Sequence, residues 1–258
     1  MTLSPESLER VERLGRLLEE SAFTVVLTGA GISTASGIPD FRTPGTGLWE
    51  KADPAKVAAL DAFREDARGF WRFYSQRLSR LGNVEPNPAH VALACLERGG
   101  RIHGLITQNI DRLHSKAGSG EVAEVHGSID RAECLACGDD YPYDRVMDDL
   151  SAGIEVPCCD CGEALKPGVT LFGEDLPPDA LRTAVGWARS AELLIVAGSS
   201  LRVWPVAGLP EMTLNAGGRL AVLNAEATPY DAEAVLVERS PLEDFLPVVA
   251  ERLGCSQA

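Results

Sequence analysis

Four short apolar runs constrain the fold of this chain more than any other feature. They are rich in β-branched residues and span residues 24–28, 102–107, 193–197 and 220–223. Such runs are typical of strands buried in a parallel sheet. Each leads into a polar or glycine-containing loop: TGAGIS, TQNID, AGSSL and NAEAT in turn. Because ligands of open parallel sheets bind beyond the carboxyl ends of the strands, we predict that these loops surround one crevice.

Length and charge limit the class of protein. A chain of 258 residues can bury one large core, or one domain with a small satellite. The formal net charge of -14 disfavours non-specific binding to nucleic acid, and no apolar run reaches the roughly 18 to 20 residues that span a bilayer. The acidic N-terminal segment predicts an amphipathic helix and does not resemble a targeting peptide. We expect a cytoplasmic α/β protein without nucleic-acid or membrane partners, and our working expectation is a monomer.

Five of the seven cysteines cluster in a segment of distinct composition, residues 130–165. Cys134-x2-Cys137 and Cys158-x2-Cys161 are separated by 20 residues, a spacing suited to Zn²⁺ held by four thiolates. Cys159 is an extra cysteine, and a Cys159-x-Cys161 pair would form a tighter, less usual chelate. We therefore predict one zinc ion bound by Cys134, Cys137, Cys158 and Cys161. A site closed by four thiolates is structural rather than catalytic.

The first strand runs into the glycine loop, residues 29–33. Glycines there permit a tight turn and close approach of the backbone to a pyrophosphate, although a G-x-G loop alone is equally typical of a plain strand-to-helix turn. The full run GAGISTASGIPDFR, residues 29–42, resembles the signature of the sirtuin family, bacterial type. Further segments that resemble the family follow in order: TQNID (107–111), VHG (125–127), LFGE (171–174), GSSL (198–201) and NAEAT (224–228).

The resemblance implies an α/β fold in which the loops bind NAD. Gly29, Ala30 and Gly31 would contact the diphosphate through their backbone. The other implied NAD-binding residues are Ser33, Asp40, Phe41, Arg42, Gln108, Asn109, Ile110, Asp111, Gly198, Ser199, Ser200, Asn224 and Glu226. An alternative for Asn109 and Asp111 is that they cap the helix that follows them.

The resemblance also implies a chemistry. In sirtuins the acyl-lysine oxygen attacks C1' of the nicotinamide ribose and expels nicotinamide, and a base then deprotonates a ribose hydroxyl. His126, in VHG, is implied as that base, with Asn109 and Asp111 as further catalytic residues. Histidine suits the task because its pKa lies near the working pH. For the remaining histidines, His90, His103 and His114, we expect structural or surface roles.

Two segments resemble the walls of the sirtuin peptide cleft, between which an acyl-lysine peptide strand would bind. One comprises Val169, Phe172, Gly173 and Glu174, and the other Leu201, Arg202 and Val203. Packing in the core is the alternative for Val169 and Phe172. Tyr74 and Arg77 resemble a Tyr-x-x-Arg pair by which some sirtuins recognise succinyl-lysine, and at i and i+3 they share one helix face. The alternative is an amphipathic helix in which Trp71 and Tyr74 pack while Arg77 is solvated.

We therefore predict a Rossmann-like, parallel-sheet NAD-binding domain formed by residues 1–38, 89–129 and 166–258. Residues 39–88 would add a cofactor-binding loop and helical insertion, and residues 130–165 the zinc-binding module. The implied reaction yields nicotinamide, deacylated lysine and O-acyl-ADP-ribose. It transfers the acyl group from lysine to ADP-ribose and is formally a hydrolysis of the acyl-lysine amide.

Three other functions are weighed against this one. A protein ADP-ribosyltransferase shares nicotinamide cleavage and is the main alternative. A hydride-transferring dehydrogenase would not predict the GAGISTASGIPDFR run or VHG beside a cysteine module. A non-catalytic NAD-binding module would have no need of His126.

Overall fold

The computed structural model describes residues 3–40, 53 and 57–255, without the side chains of residues 76, 77, 79 and 80. Two predicted cofactor residues, Phe41 and Arg42, lie outside the described residues, as does the side chain of Arg77. Within the described ranges, no helix has the length and apolar character that crossing a membrane requires.

A six-stranded, wholly parallel sheet forms the centre of the molecule. Its strands, numbered in chain order together with those of a second sheet, are β1 (Thr24–Thr28), β2 (Gly104–Thr107), β3 (Val122–Glu124), β7 (Leu193–Ala197), β8 (Arg219–Leu223) and β9 (Leu236–Glu238). They lie in the order β3-β2-β1-β7-β8-β9. The four apolar runs of the sequence all fall on these strands, which confirms the predicted parallel sheet. Strand order reverses between β1 and β7, and in such sheets a ligand crevice opens at the reversal.

Helices cover both faces of this sheet, and further helices pack with a second sheet. The helices are α1 (Pro5–Glu20), α2 (Leu60–Glu65), α3 (Ala67–Gly82), α4 (Pro88–Arg98), α5 (Leu113–Lys116), α6 (Tyr143–Ser151), α7 (Pro178–Ser190), α8 (Leu209–Asn215) and α9 (Leu242–Arg252). Successive strand side chains point to opposite faces, so Val26 packs with α1, α4 and α9, whereas Val25 and Leu27 pack with α7 and α8. Burial on both faces explains why the strands are continuously apolar.

The second sheet lies next to the five clustered cysteines, of which Cys134 ends one of its strands. Its antiparallel strands β4 (Gly127–Cys134), β5 (Asp140–Pro142) and β6 (Leu165–Val169) lie in the order β5-β4-β6. The sheet shares a hydrophobic core with α3, where the Trp71 indole donates a 2.8 Å hydrogen bond to the Leu165 carbonyl. The helical insertion and the cysteine-bearing segment thus pack on each other. Strands β4 and β6 continue past residues 130 and 165 and join this segment to the large domain.

Candidate functional site

Two glycine-containing loops meet backbone to backbone at the carboxyl ends of β1 and β7. Gly31 N donates to the Gly198 carbonyl at 2.9 Å, and Gly29 N donates to the Ala197 carbonyl at 3.2 Å. A Cβ on Gly198 would lie 2.4 Å from Ile32 N, and the φ of Gly198 is +67°. Side chains are therefore excluded from this contact. From the sequence, glycine was expected here because the backbone must approach a cofactor closely. The structure adds a second reason, which is that the two loops also approach each other closely.

A buried polar cluster supports the glycine loop from below. Ser33 Oγ donates to Asp111 Oδ2 at 2.7 Å, and the Asn109 amide donates to Ser33 Oγ and to the Gly29 carbonyl, both at 3.1 Å. Asp111 Oδ1 also accepts from Leu113 N at 3.0 Å, so Asp111 binds the start of the following helix, whose N-cap residue is Arg112. Burial raises the pKa of Asp111, and its bonds from Leu113 N and Ser33 oppose that rise.

Two of the histidines expected to be structural belong to this support. His114 Nε2 lies 3.0 Å from Thr28 Oγ1, His90 Nε2 lies 3.5 Å from Ser33 Oγ, and the two rings meet edge to face at 4.8 Å. Burial lowers the pKa of His90 to about 4 and that of His114 well below its ordinary value. Both imidazoles are therefore neutral at neutral pH. His103 is also structural, because its Nδ1 accepts from Thr24 N at 3.1 Å.

Asn87 is a supporting residue that the sequence analysis missed. Its side-chain amide donates to the Ile32 carbonyl at 2.8 Å and to Ser36 Oγ at 3.0 Å, while its Oδ1 accepts from Ala89 N and caps α4. The local signal was available, since Asn followed by Pro is typical of a helix start. Asn87 thus fixes the 3-10 helix Ala30–Ser36 to the first turn of α4.

His126 lies in the short segment that joins β3 to β4. Its Nδ1 is 2.9 Å from the Gln108 carbonyl, which can only accept, so Nδ1 carries the proton and neutral His126 keeps its lone pair on Nε2. Burial lowers the pKa of His126, and the bond to Gln108 opposes that shift. The Gln108 side chain donates in turn to Ser199 Oγ at 2.8 Å. The structure therefore links the predicted base, through Gln108, to the loop that follows β7.

The two predicted cleft walls differ in how much of them is exposed. Phe172 is 51% exposed, and its backbone pairs with Ala58 and Leu60 at 2.8 and 3.0 Å. Val169 is buried, which confirms the alternative of core packing for this residue. In the other wall Leu201 is buried at a φ of +52°, Val203 is half-buried, and the neighbouring Trp204 is 69% exposed. Exposed aromatic surface therefore occurs in or beside each wall.

The predicted adenosine end of the crevice follows β8. Asn224 N donates to the Glu238 carbonyl at 3.0 Å, and the Asn224 amide donates to the Glu226 carbonyl at 2.9 Å, while the Glu226 side chain is exposed. Arg239, which the sequence analysis missed, donates to the carbonyls of Asn224 and Glu226 at 2.7 and 2.8 Å and also pairs with Asp231. One guanidinium thus shapes this loop. The remaining predicted contacts, Asp40, Ile110 and Ser200, are half-buried.

The cysteine cluster differs from the prediction at one position. The sulfurs of Cys134, Cys137, Cys159 and Cys161 all lie within 4.8 Å of one another. Cys158 is exposed, and its thiol faces the Val156 carbonyl at 3.3 Å. The prediction of Cys158 as the fourth ligand is therefore wrong in this structure. The backbone of Cys158 is extended and forms a β-bridge with Ala164, so the side chains of Cys158 and Cys159 point to opposite sides. Of these two, only Cys159 points toward the other cysteine sulfurs.

A parallel sheet with a glycine loop at its strand-order reversal is typical of nucleotide-binding α/β proteins. The model of the Sir2 family matches residues 29–205. NAD-dependent protein deacetylases of Sulfurisphaera tokodaii and Thermotoga maritima are 45% and 44% identical to the chain, covering 93% of it and 94% and 97% of their own lengths. The chain belongs to the Sir2 family.

Solved structures agree in fold and sequence. A Sir2 complex with a deacetylated p53 peptide and 3'-O-acetyl ADP ribose has a TM-score of 0.89 and 43% identity, over 95% of this chain and 99% of the other. Sir2Tm bound to a propionylated peptide has a TM-score of 0.86 and 42% identity, with the same coverage.

The contact between the two loops generates a prediction about stability. Gly198→Ala should destabilise the protein by at least about 2 kcal/mol, because the new Cβ meets backbone and the positive φ is strained. Gly186→Ala is the matched control: it lies in α7 with open space around its Cβ, so alanine should stabilise by up to about 1 kcal/mol. Urea unfolding of both variants measures the difference. Equal stabilities would mean that the contact tolerates a side chain.

Proposed function

We propose that this protein is an NAD-dependent protein lysine deacylase that removes acetyl groups from lysine side chains. The observation that carries the proposal is His126, whose Nδ1 is held by the Gln108 carbonyl so that Nε2 keeps its lone pair, in a chain that shares 43% identity with a peptide-bound Sir2 structure. The overall reaction converts acyl-lysine, NAD and water into lysine, nicotinamide and O-acyl-ADP-ribose. It is chemically an acyl transfer to the ribose.

NAD binding is supported by the crevice at the strand-order reversal. The backbone of Gly29, Ala30 and Gly31 would hold the diphosphate, and the loop after β8 with Asn224 and Glu226 would hold the adenosine ribose. Asn109 is largely committed to the Gly29 carbonyl and Ser33, and Asp111 to Ser33 and Leu113 N. Their proposed catalytic contribution is therefore to fix the nicotinamide side of the pocket.

His126 would act after nicotinamide departs. Its Nε2 takes a proton from a ribose hydroxyl, so that the ribose oxygen can attack the carbon of the transferred acyl group. Because burial favours the neutral imidazole, the base form is the resting form at neutral pH. The acyl-lysine would enter between the walls that contain Phe172 and Val203.

The cysteine cluster fits a structural zinc ion. Four thiolates at the usual zinc–sulfur distance of about 2.3 Å lie about 3.8 Å from one another in a tetrahedron. The Cys134–Cys161 and Cys137–Cys159 sulfurs are already 3.6 and 3.4 Å apart, so a metal fits with small adjustments. We propose Cys134, Cys137, Cys159 and Cys161 as its ligands. Bound there, zinc would crosslink the two ends of the module and take no part in catalysis.

Succinyl-lysine is proposed as a second acyl substrate. Tyr74 and Arg77 lie three residues apart on α3, the spacing that places two side chains on one face. The ring of Tyr74 is buried and stacked on Phe70 at 4.4 Å and Trp71 is fully buried, so both aromatic rings pack in the core as the alternative expected, and the proposal rests on the spacing of Tyr74 and Arg77. Tyr74 and Arg77 together would bind the distal carboxylate of a succinyl group.

The deacylase proposal predicts that His126→Ala lowers kcat by roughly 100-fold or more, as expected for loss of a general base. Binding of NAD, measured by calorimetry, should change little. His103→Ala is the control, since His103 is a structural residue at the start of β2. Mass spectrometry of the products separates deacylation, which gives O-acyl-ADP-ribose, from ADP-ribosylation, which leaves a stably modified protein. Near-normal turnover by His126→Ala would remove this residue from the mechanism.

The same assignment fixes the pH profile. The base form is lost as pH falls through the pKa of His126, which burial places below the ordinary histidine value of 6.5. The acid limb of kcat/KM should therefore lie below pH 6.5, with a plateau above it. An acid limb above that value would contradict the assignment.

For the metal, Cys159→Ser should lose zinc and lower the melting temperature, whereas Cys158→Ser should keep one zinc ion per chain, because only the Cys159 sulfur joins the cluster. The two adjacent serine variants are matched in size and chemistry. Metal analysis of the purified proteins measures the difference. Zinc loss from Cys158→Ser alone would restore Cys158 as the ligand.

For acyl preference, Arg77→Met should lower kcat/KM for a succinyl-lysine peptide roughly 10- to 150-fold, the effect of losing a charge-assisted contact. Turnover of the matched acetyl-lysine peptide should barely change, which makes it the internal control. Equal effects on both peptides, or absence of desuccinylation by the wild type, would restrict the activity to deacetylation.

A further inference from the structure

A fully buried lysine lies between the cysteine cluster and the cleft wall. Lys166 is 1% exposed, and its ammonium contacts two carboxylates, Glu133 Oε1 at 2.8 Å and Glu174 Oε2 at 3.1 Å. It also donates to the Val169 carbonyl at 2.8 Å and the Pro167 carbonyl at 3.1 Å. A charge removed from water is retained only where it is paired and its hydrogens are bonded. These four acceptors meet that requirement.

One side of the ammonium is attached to the cysteine module. Lys166 lies directly opposite Glu133 in the pairing of β4 with β6, and the next pair along is Cys134 with Leu165. The Glu133 side chain is one-third exposed, so water also solvates this carboxylate. Glu133 therefore depends less on the ammonium than a fully buried partner would.

The other side of the ammonium shapes the cleft wall. The Glu174 side chain is 15% exposed, and its Oε2 accepts from Leu171 N at 2.7 Å as well as from Lys166. Glu174 N donates to the Leu171 carbonyl at 3.1 Å. The segment from Val169 to Glu174 is thus folded around one charged contact. The turn carries Phe172, half of whose surface is exposed.

The same segment also contacts the backbone of the proposed base. Thr170 N donates to the His126 carbonyl at 2.8 Å, and Val169 pairs with Gly127. A neutral side chain at position 166 would leave Glu174 without its cation in a site with little water. Glu174 would then move toward solvent and release Leu171 N and the turn.

We propose that Lys166 is a positioning residue for acyl-peptide binding: through Val169 and Glu174 it holds the wall of residues 169–174 in the conformation that accepts the peptide strand. This inference rests on the proposed deacylase function. Lys166 does not touch the reacting atoms. Its effect should therefore fall on the KM for peptide and leave NAD binding unchanged.

The test compares Lys166→Met, Lys166→Arg, Glu174→Gln and Glu133→Gln with the wild type, using an acetyl-lysine peptide. For each we measure kcat, the KM values for peptide and NAD, the Kd of fluorescein-labelled peptide by anisotropy, and zinc content. Lys166→Met should raise the peptide KM and Kd roughly 10- to 100-fold, the usual effect of leaving a buried charged partner unsatisfied. The KM for NAD and the zinc content should stay within about twofold, which is within ordinary variation for groups that do not touch a site.

The variants Glu174→Gln and Glu133→Gln are matched, because each neutralises one of the two carboxylates that contact the Lys166 ammonium. Glu174→Gln should weaken peptide binding by a smaller factor than Lys166→Met. Glu133→Gln should resemble the wild type, since it leaves the wall-side contacts in place. Lys166→Arg keeps the charge and should recover part of the peptide affinity.

Unchanged peptide KM and Kd in Lys166→Met would overturn the positioning role. So would a parallel loss of zinc, NAD binding and peptide binding, since that pattern indicates general structural damage. If Lys166→Met fails to fold, the Glu174→Gln variant tests the proposal instead. Normal peptide binding by Glu174→Gln would then overturn the proposal. A wild-type protein that neither binds nor deacylates acyl-lysine peptides refutes the proposed function itself, and this inference with it.

Discussion

The contact between the Gly29–Gly31 backbone and the Gly198 backbone determines the arrangement of the site. It joins the ends of β1 and β7, the two strands between which strand order reverses, and it admits no side chain. With the two loops in direct contact, Ser199 lies within reach of Gln108, and Gln108 holds His126. One close approach of backbone to backbone therefore helps to determine both the shape of the crevice and the position of the proposed base.

Burial then sets the protonation of the groups around this contact. His90 and His114 lie beneath the loop and are kept neutral, so the layer supports the loop with neutral hydrogen-bonding groups and adds no positive charge. The same effect favours neutral His126, which is more exposed. Asp111 combines two contacts, because one of its oxygens binds Ser33 and the other accepts from the first N–H of α5. A residue that binds the start of a helix can therefore also support the glycine loop.

Strand β6 connects the two halves of the molecule. Leu165 at its start pairs with Cys134, and Val169 at its end pairs with Gly127, next to His126. Between them Lys166 places a buried charge that binds both the module and the wall. One short strand thus contacts the cysteine module at one end and leads to the wall and the neighbourhood of the base at the other. A structural metal at one end of this strand would restrict the backbone that leads to the other end.

The sequence by itself determined the parallel sheet, the order of the loops and the residues around the crevice, because continuous apolar runs and glycine-containing motifs are local patterns with strong steric consequences. The spacing favoured Cys158, since two C-x2-C pairs make a regular zinc motif. Only tertiary structure selected Cys159, because extended backbone turns neighbouring side chains to opposite sides and the packing of the module decides which one points inward. The role of Lys166 was likewise invisible, because its partners Glu133 and Glu174 are brought together by strand pairing and a turn, and no sequence pattern records that a lysine is surrounded by acceptors.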